Sequence, residues 1–223
     1  MPSVRFSPDR RSGSGPPAIA ILDYGMGNLR SVEKAFAHVG VDAVRTRDHD
    51  VVRAAAGVAL PGVGAMPRAM ELVRALGFDE LVRERAAAGV PVIGICMGMQ
   101  LLFERTAEHG GAEGIGLLEG GVEALEAPGL TIPHIGWSPV SWRRESPLTA
   151  GLTDPCAFYH VHSLAARPER AEDVLGAATY GAEFASVVER DNVFGVQFHP
   201  EKSGPDGLAL LRNFATLRTG APA

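Results

Sequence analysis

The sequence predicts an α/β fold: an open, mostly parallel sheet flanked by helices, with antiparallel strands added in the C-terminal half. From residue 18 to about 105, short apolar runs alternate with amphipathic stretches, the order expected of a parallel sheet with right-handed crossovers. The apolar runs are nearly continuous, as in strands buried on both faces. From residue 120 onward the pattern turns β-rich.

The elements follow in order. AIAILDY (18–24) reads as a buried strand and GMGN as the turn after it; Leu29, Val32, Ala35, Phe36 and Val39 then recur at helical spacing up to a stop at Gly40. Asn28 stands where its side chain can cap that helix. DAVRT (42–46) reads as a second strand, and GVALPGVGAM (57–66) as a third running into a Gly-rich loop. DELVRERAAAG (79–89) reads as a helix ending at Gly89, and VPVIGI (90–95) as the next strand. In the second half, GGVEALEA, HIGWSPVSW, CAFYHVHSL and EFASVVERDNVFGVQFHPE are expected to extend the sheet, with Asp191-Asn192 as a hairpin turn. A last helix should turn Leu208, Leu211, Phe214 and Leu217 to the core. The expected domain is 18–218, between a flexible tail at 1–17 and a flexible end at 219–223.

Composition narrows the classes of function. A chain of 223 residues suits one hydrophobic core. Its 46% hydrophobic and 21% charged residues, with mean hydropathy +0.06, describe a soluble globular protein. Net charge −5 and a pI near 5.8 argue against a nucleic-acid surface, which needs a basic patch. No apolar run is long enough for a membrane span, and MPSVRFSPDRRSGSGPP lacks a signal peptide's apolar centre. A cytoplasmic protein is expected, a transit peptide being the alternative reading of that segment. Cys96 and Cys156 are too few for a disulfide framework or a four-thiolate zinc site, so each is core or chemistry.

PVIGICMGMQLLFE (91–104) places Cys96 between Gly94 and Gly98, at the end of a strand and the start of a helix. The G-x-nucleophile-x-G spacing is that of a nucleophile elbow, whose flanking residues must be small for strand and helix to approach. A helix N-terminus favours a thiolate, and the Met97 N–H would face a developing oxyanion, with a second donor from PGVG (61–64). A small residue packed in a tight turn explains the same five residues equally well. The base separates the two readings. In VFGVQFHPEKSG (193–204), Pro200 biases His199 toward extended backbone, and residues i and i+2 of an extended chain point the same way, so Glu201 can orient the imidazole. His-Pro-Glu alone reads as a surface turn; together with the elbow it reads as the base of an acyl-transfer triad.

Other features have ordinary explanations. His160 and His162 share a strand face but lack a thiol or carboxylate at ligand spacing, so a hydrogen-bonded structural role is expected and no metal. Trp137 and Trp142 read as core or interface anchors and Cys156 as core. GMGN lacks the spacing of a dinucleotide-binding loop.

GICMGMQLLFE together with FGVQFHPEKSG resembles the class I (triad) glutamine amidotransferases. Within that superfamily, DYGMGNLRSVEKA (23–35), LPGVGAM (60–66) and PHIGW (133–137) resemble the glutaminase subunits of imidazole glycerol phosphate synthases, over nearly all of residues 18–217. The resemblance implies an open α/β sheet and a triad of Cys96, His199 and Glu201. It puts Gln100 against the substrate L-glutamine, and Gly62, Val63 and Gly64 on the oxyanion side with Met97. His162, Ser163 and Leu164 would lie against the amino-acid end. It implies no cofactor or metal, and as partner a (β/α)8-barrel cyclase subunit in a heterodimer of histidine biosynthesis. Three positions depart from the family pattern: Leu164 stands for a usual Tyr, Ser138 for a usual Asn, and Met97 for a usual Leu. The first two bear on the site; Leu and Met exchange at little packing cost. A stand-alone thiol hydrolase of this fold would keep the triad but lack the partner surface to which DYGMGNLRSV and PHIGW point. A non-catalytic binding subunit would be expected to lose a triad residue.

Overall fold

The computed structural model describes residues 17–217. The expected tail, but for residue 17, and the expected C-terminal end lie outside the described residues. The chain order is β1 (Ile19–Leu22), α1 (Leu29–His38), β2 (Ala43–Thr46), α2 (His49–Ala54), β3 (Gly57–Gly62), α3 (Met66–Ala75), α4 (Phe78–Ala87), β4 (Val92–Cys96) and α5 (Met97–Leu101). It continues through β5 (Phe103–Thr106), β6 (Ala112–Glu113), β7 (Leu118–Ala124), β8 (His134–Trp142), β9 (Cys156–His162), β10 (Leu164–Pro168), β11 (Val174–Tyr180), β12 (Ala182–Arg190), β13 (Val193–Val196) and α6 (Gly204–Thr216).

Nine strands form one sheet in the order β2-β1-β3-β4-β13-β12-β11-β8-β9. The first five are mutually parallel, and the remaining pairings are antiparallel. The near-continuous apolar runs divide by strand alternation. Ile19, Ile21, Ala59, Ile93 and Ile95 face one core with Val32 and Phe36 of α1 and Leu210, Leu211 and Phe214 of α6. Ala20, Leu22, Val58, Leu60 and Val92 face the other, with Met70 and Val73 of α3 and Leu81 and Val82 of α4. Period-two alternation thus places an apolar residue on each face, which is why these strands show no polar positions.

Two expectations are corrected. GGVEALEA does not extend the main sheet: β7 belongs to a second sheet, β10-β7-β5-β6. CAFYHVHSL is not one strand, because the chain passes at Ser163 from β9 in the main sheet to β10 in the small one, where Leu125 N–H binds the Ser163 carbonyl. Asn28 does stand at the start of α1, but its side chain makes no capping bond. The Asp191-Asn192 turn joins β12 to β13 as expected, with Asp191 at φ 53°. Leu211 and Phe214 of α6 are buried, while Leu208 and Leu217 are half-buried against the same core. Among the described residues no helix is long and apolar enough to cross a membrane.

Candidate active site

Three neighbouring parallel strands deliver the chemistry to one place. Gly62 at the end of β3 pairs with Cys96 at the end of β4, and Ile95 pairs with Val196 at the end of β13, three residues before His199. These are carboxyl ends of parallel strands, where ligands of open α/β sheets bind. Residues far apart in sequence meet here because β13 inserts beside β4.

Cys96 has φ 56° and ψ −115°, a conformation costing a side-chain-bearing residue about 1–3 kcal/mol. The flanking glycines are required by contact: a Cβ on Gly94 would collide with the Gly98 carbonyl, and one on Gly98 with the Leu60 carbonyl. Cys96 is 7% exposed; its Sγ lies 3.8 Å from the Val161 carbonyl and 3.9 Å from Gln197 Nε2. Of the two glycines around Val63, Gly64 alone has positive φ, at 95°. Gly62 serves close packing, since a Cβ there would lie 2.6 Å from Tyr24 Oη and 2.9 Å from Gly98 N. Buried Tyr24 donates to the Pro61 carbonyl at 2.8 Å and holds this loop.

His199 is extended, φ −102° and ψ 94°, as expected ahead of a proline. Its N–H donates to the Tyr159 carbonyl at 2.9 Å, and its carbonyl accepts the Ser203 hydroxyl at 2.7 Å. Its Nδ1 meets Glu201 Oε1 at 2.9 Å, with both side chains buried. Burial alone would lower the imidazole's pKa, but Cys96 and Glu201 on either side outweigh it and raise it to about 9. The contacts of Sγ at 3.8 and 3.9 Å are to Val161 and Gln197; hydrogen bonds of catalytic pairs are often long or poorly aligned in sites without substrate.

A cavity of about 340 Å³ opens over Cys96, a volume suited to a small molecule. Val63, Gly64, Met97, Gln100, His162, Ser163, Leu164 and His199 line it, so most of the expected residues converge. Gly62 and Glu201 sit beside it, lining a narrower cleft with His199. Glu108, Pro133, Val161 and Lys202 line the cavity unanticipated. Glu108 also accepts Met66 N–H at 2.7 Å at the start of α3. Buried Gln197 was missed too: its Oε1 accepts Gln100 Nε2 at 3.0 Å, and a glutamine inside the apolar run VFGVQF was its signal. A shallower depression of about 800 Å³ near Trp142 and Asp154 lies apart and has no cysteine or histidine in its lining.

The histidines behind the cavity form an ordered hydrogen-bond chain. The Leu164 carbonyl can only accept, so His162 Nδ1, 2.7 Å away, carries the hydrogen. With the imidazole neutral, Nε2 accepts from His134 Nδ1 at 3.2 Å, and His134 Nε2 accepts from the Ser138 hydroxyl at 3.0 Å. Position 164 thus holds His162 through its main chain, which a Leu supplies as well as a Tyr, and Ser138 has a donor role of its own. His160 is likewise fixed between the Phe158 carbonyl at 3.0 Å and Ser186 Oγ at 2.9 Å. Burial drives His162 down to about 4 and His160 to about 3. A lowered folded pKa contributes stability that is present above the unfolded value and lost as pH falls toward the folded one. Thermal melts should therefore weaken from pH 7 to pH 5, with His160 accounting for about 2 kcal/mol at pH 5. His160→Gln, which keeps a donor and an acceptor but does not titrate, should flatten that slope; an unchanged slope would contradict the assignment.

The sequence matches a known family. Residues 20–217 fit the model of "Glutamine amidotransferase class-I". The chain is 47% identical over 199 residues to the imidazole glycerol phosphate synthase subunit HisH of Moorella thermoacetica, covering 89% of this chain and 94% of that one. It is 46% identical over 205 residues to the subunit of that name from Salinibacter ruber, with 89% and 94% covered. Among solved structures, a glutamine amidotransferase matches with TM-score 0.70 at 21% identity, covering 88% of this chain and 96% of that one. PurLQS from Thermotoga maritima matches with TM-score 0.69 at 19% identity, covering 89% and 97%. These two likenesses bear on the fold alone. The chain belongs to the class I glutamine amidotransferases and, among them, to the HisH family.

Proposed function

We propose that this chain is the glutaminase subunit of an imidazole glycerol phosphate synthase. It hydrolyses L-glutamine to glutamate and ammonia, and the ammonia passes to a cyclase subunit that forms imidazole glycerol phosphate and an aminoimidazole-carboxamide ribonucleotide. The observation that carries this reading is a strained Cys96 on the same cavity as His199, whose ring is held by buried Glu201.

In this reading Cys96 Sγ attacks the side-chain amide carbon of glutamine. The Met97 N–H and main-chain N–H groups of the 62–64 loop receive the negative charge on oxygen. His199, protonated up to about pH 9, gives its proton to the departing nitrogen, and ammonia leaves a γ-glutamyl thioester on Cys96. The now neutral imidazole takes a proton from water, whose oxygen attacks the thioester carbon; glutamate departs and the starting pair returns. Nothing in these steps requires a cofactor.

Glutamine also carries a cationic ammonium, and among the described residues Glu108 is the one carboxylate lining the cavity. Glu108→Gln keeps an oxygen for Met66 N–H but removes the charge. It should raise KM for glutamine about 10–100-fold with kcat little changed, as for a lost hydrogen bond to a charged group. Steady-state kinetics with an unchanged KM would contradict this placement.

The partner is read as a (β/α)8-barrel cyclase in a heterodimer. Leu130, Ile132, Ile135 and Trp137, all exposed within one stretch of chain, supply apolar surface for it. Cytoplasmic placement, where Cys96 stays reduced, fits the same reading, with neither nucleic acid nor membrane as partner. Reconstitution with the cyclase subunit tests the function: glutamine should support product formation. A complex that turns over with ammonia but not with glutamine would overturn it.

A further inference from the structure

The triad as described uses only one oxygen of Glu201. Oε1 meets His199 Nδ1, whereas Oε2 is buried without a hydrogen-bond partner. Leaving such a group unpaired costs about 1–3 kcal/mol, and more when it is charged. Glu201 lines a narrow cleft that has no room for a water molecule, so a donor for Oε2 is sought among the residues of that lining. Val32, Pro61, Gly62, Val63 and Ile95 have no side-chain donor, and His199 Nδ1 is committed to Oε1. Asn28 remains. Asn28 lines the cleft, and its side chain makes no capping bond at the start of α1, the helix that packs against the turn carrying Glu201.

We propose that Asn28 is a positioning residue of the catalytic relay. A side-chain rotation brings its Nδ2–H onto Glu201 Oε2, so the carboxylate is held at both oxygens and the imidazole keeps its aim on Sγ. This rests on Cys96, His199 and Glu201 being the triad. Asn28 touches no reacting atom; it acts through Glu201.

The test uses the complex with the cyclase subunit, reading glutaminase kcat, KM and melting temperature. Asn28→Ala should lower kcat about tenfold or more with KM within about twofold and the melting temperature unchanged. Asn28→Asp separates the roles, because aspartate caps a helix as well as asparagine does but turns a carboxylate toward Glu201. It should preserve the fold and fall below the alanine variant in kcat. Wild-type kcat in Asn28→Asp, or in both variants, would overturn the proposal. Should Asn28→Ala prove unstable, adding it to Glu201→Gln decides: the double variant should be no slower than Glu201→Gln alone, and multiplying losses would count against the link. Cys96→Ala measured alongside keeps the two readings distinct, since persisting glutaminase there would sink the triad itself.

Discussion

Cys96→Ala is expected to abolish glutamine-dependent turnover of the complex, a loss on the order of 10⁴-fold or more, while ammonia-dependent turnover survives. The asymmetry follows from a division of labour. In the proposed mechanism the thioester forms only on Sγ, so water must otherwise attack an unactivated amide, whereas externally supplied ammonia bypasses this subunit. The substitution removes one sulfur from a site that already tolerates an unusual backbone, and alanine is no worse than cysteine at φ 56°. Circular dichroism and complex assembly should be unchanged. Product formation assayed with each nitrogen source checks it, and normal glutamine-dependent rates would refute the role of Cys96.

His199→Ala should be nearly as damaging, because in the proposed mechanism the same imidazole protonates the leaving nitrogen and later activates water. Glu201→Ala should be clearly milder, since the carboxylate orients and charges the ring without exchanging the proton itself. Groups that act as a unit are non-additive, so Cys96→Ala/His199→Ala should be little worse than either single variant. The pH dependence has a definite sign. His199 must carry its proton, and its raised pKa keeps it there until about 9, so kcat/KM should fall as pH rises through that value. The alkaline limb should vanish from the residual activity of His199→Ala. Losses that multiply, or a limb that survives the substitution, would show that His199 is not the titrating acid.

The parallel strands were legible because burial on both faces leaves no polar position: Ile19 to Leu22 and Val92 to Cys96 show it directly. Helix α2 left no comparable trace, being six residues long with Val52 alone buried. Helix α3 was obscured by the Gly-rich loop before it, although Met66, Met70 and Val73 recur at helical spacing. The second sheet was illegible for another reason. Nothing local in GGVEALEA says which strand it pairs with, since partner choice is set by distant registers. At the site, Cys96, His199 and Glu201 were readable because geometry forces their spacing: glycines where strand and helix touch, and a carboxylate two residues along an extended chain. Glu108 was not, because a single carboxylate in a turn acquires meaning only when the fold brings it to the cavity. Asn28 shows the limit of a capping rule, which found the position but not the bond.

The central claim is that glutamine is hydrolysed through a thioester on Cys96. Its most direct test is acid quenching of the complex during turnover of isotopically labelled glutamine, followed by peptide mass spectrometry. The two cysteines serve as each other's control: both are buried, but Cys156 packs in the core and does not line the cavity, with burial raising its thiol pKa to about 11. A labelled γ-glutamyl group on the peptide carrying Cys96, absent from the Cys156 peptide and from His199→Ala, is the predicted result; label on another residue, or glutamate formation with no adduct at Cys96 under any quench, would contradict it.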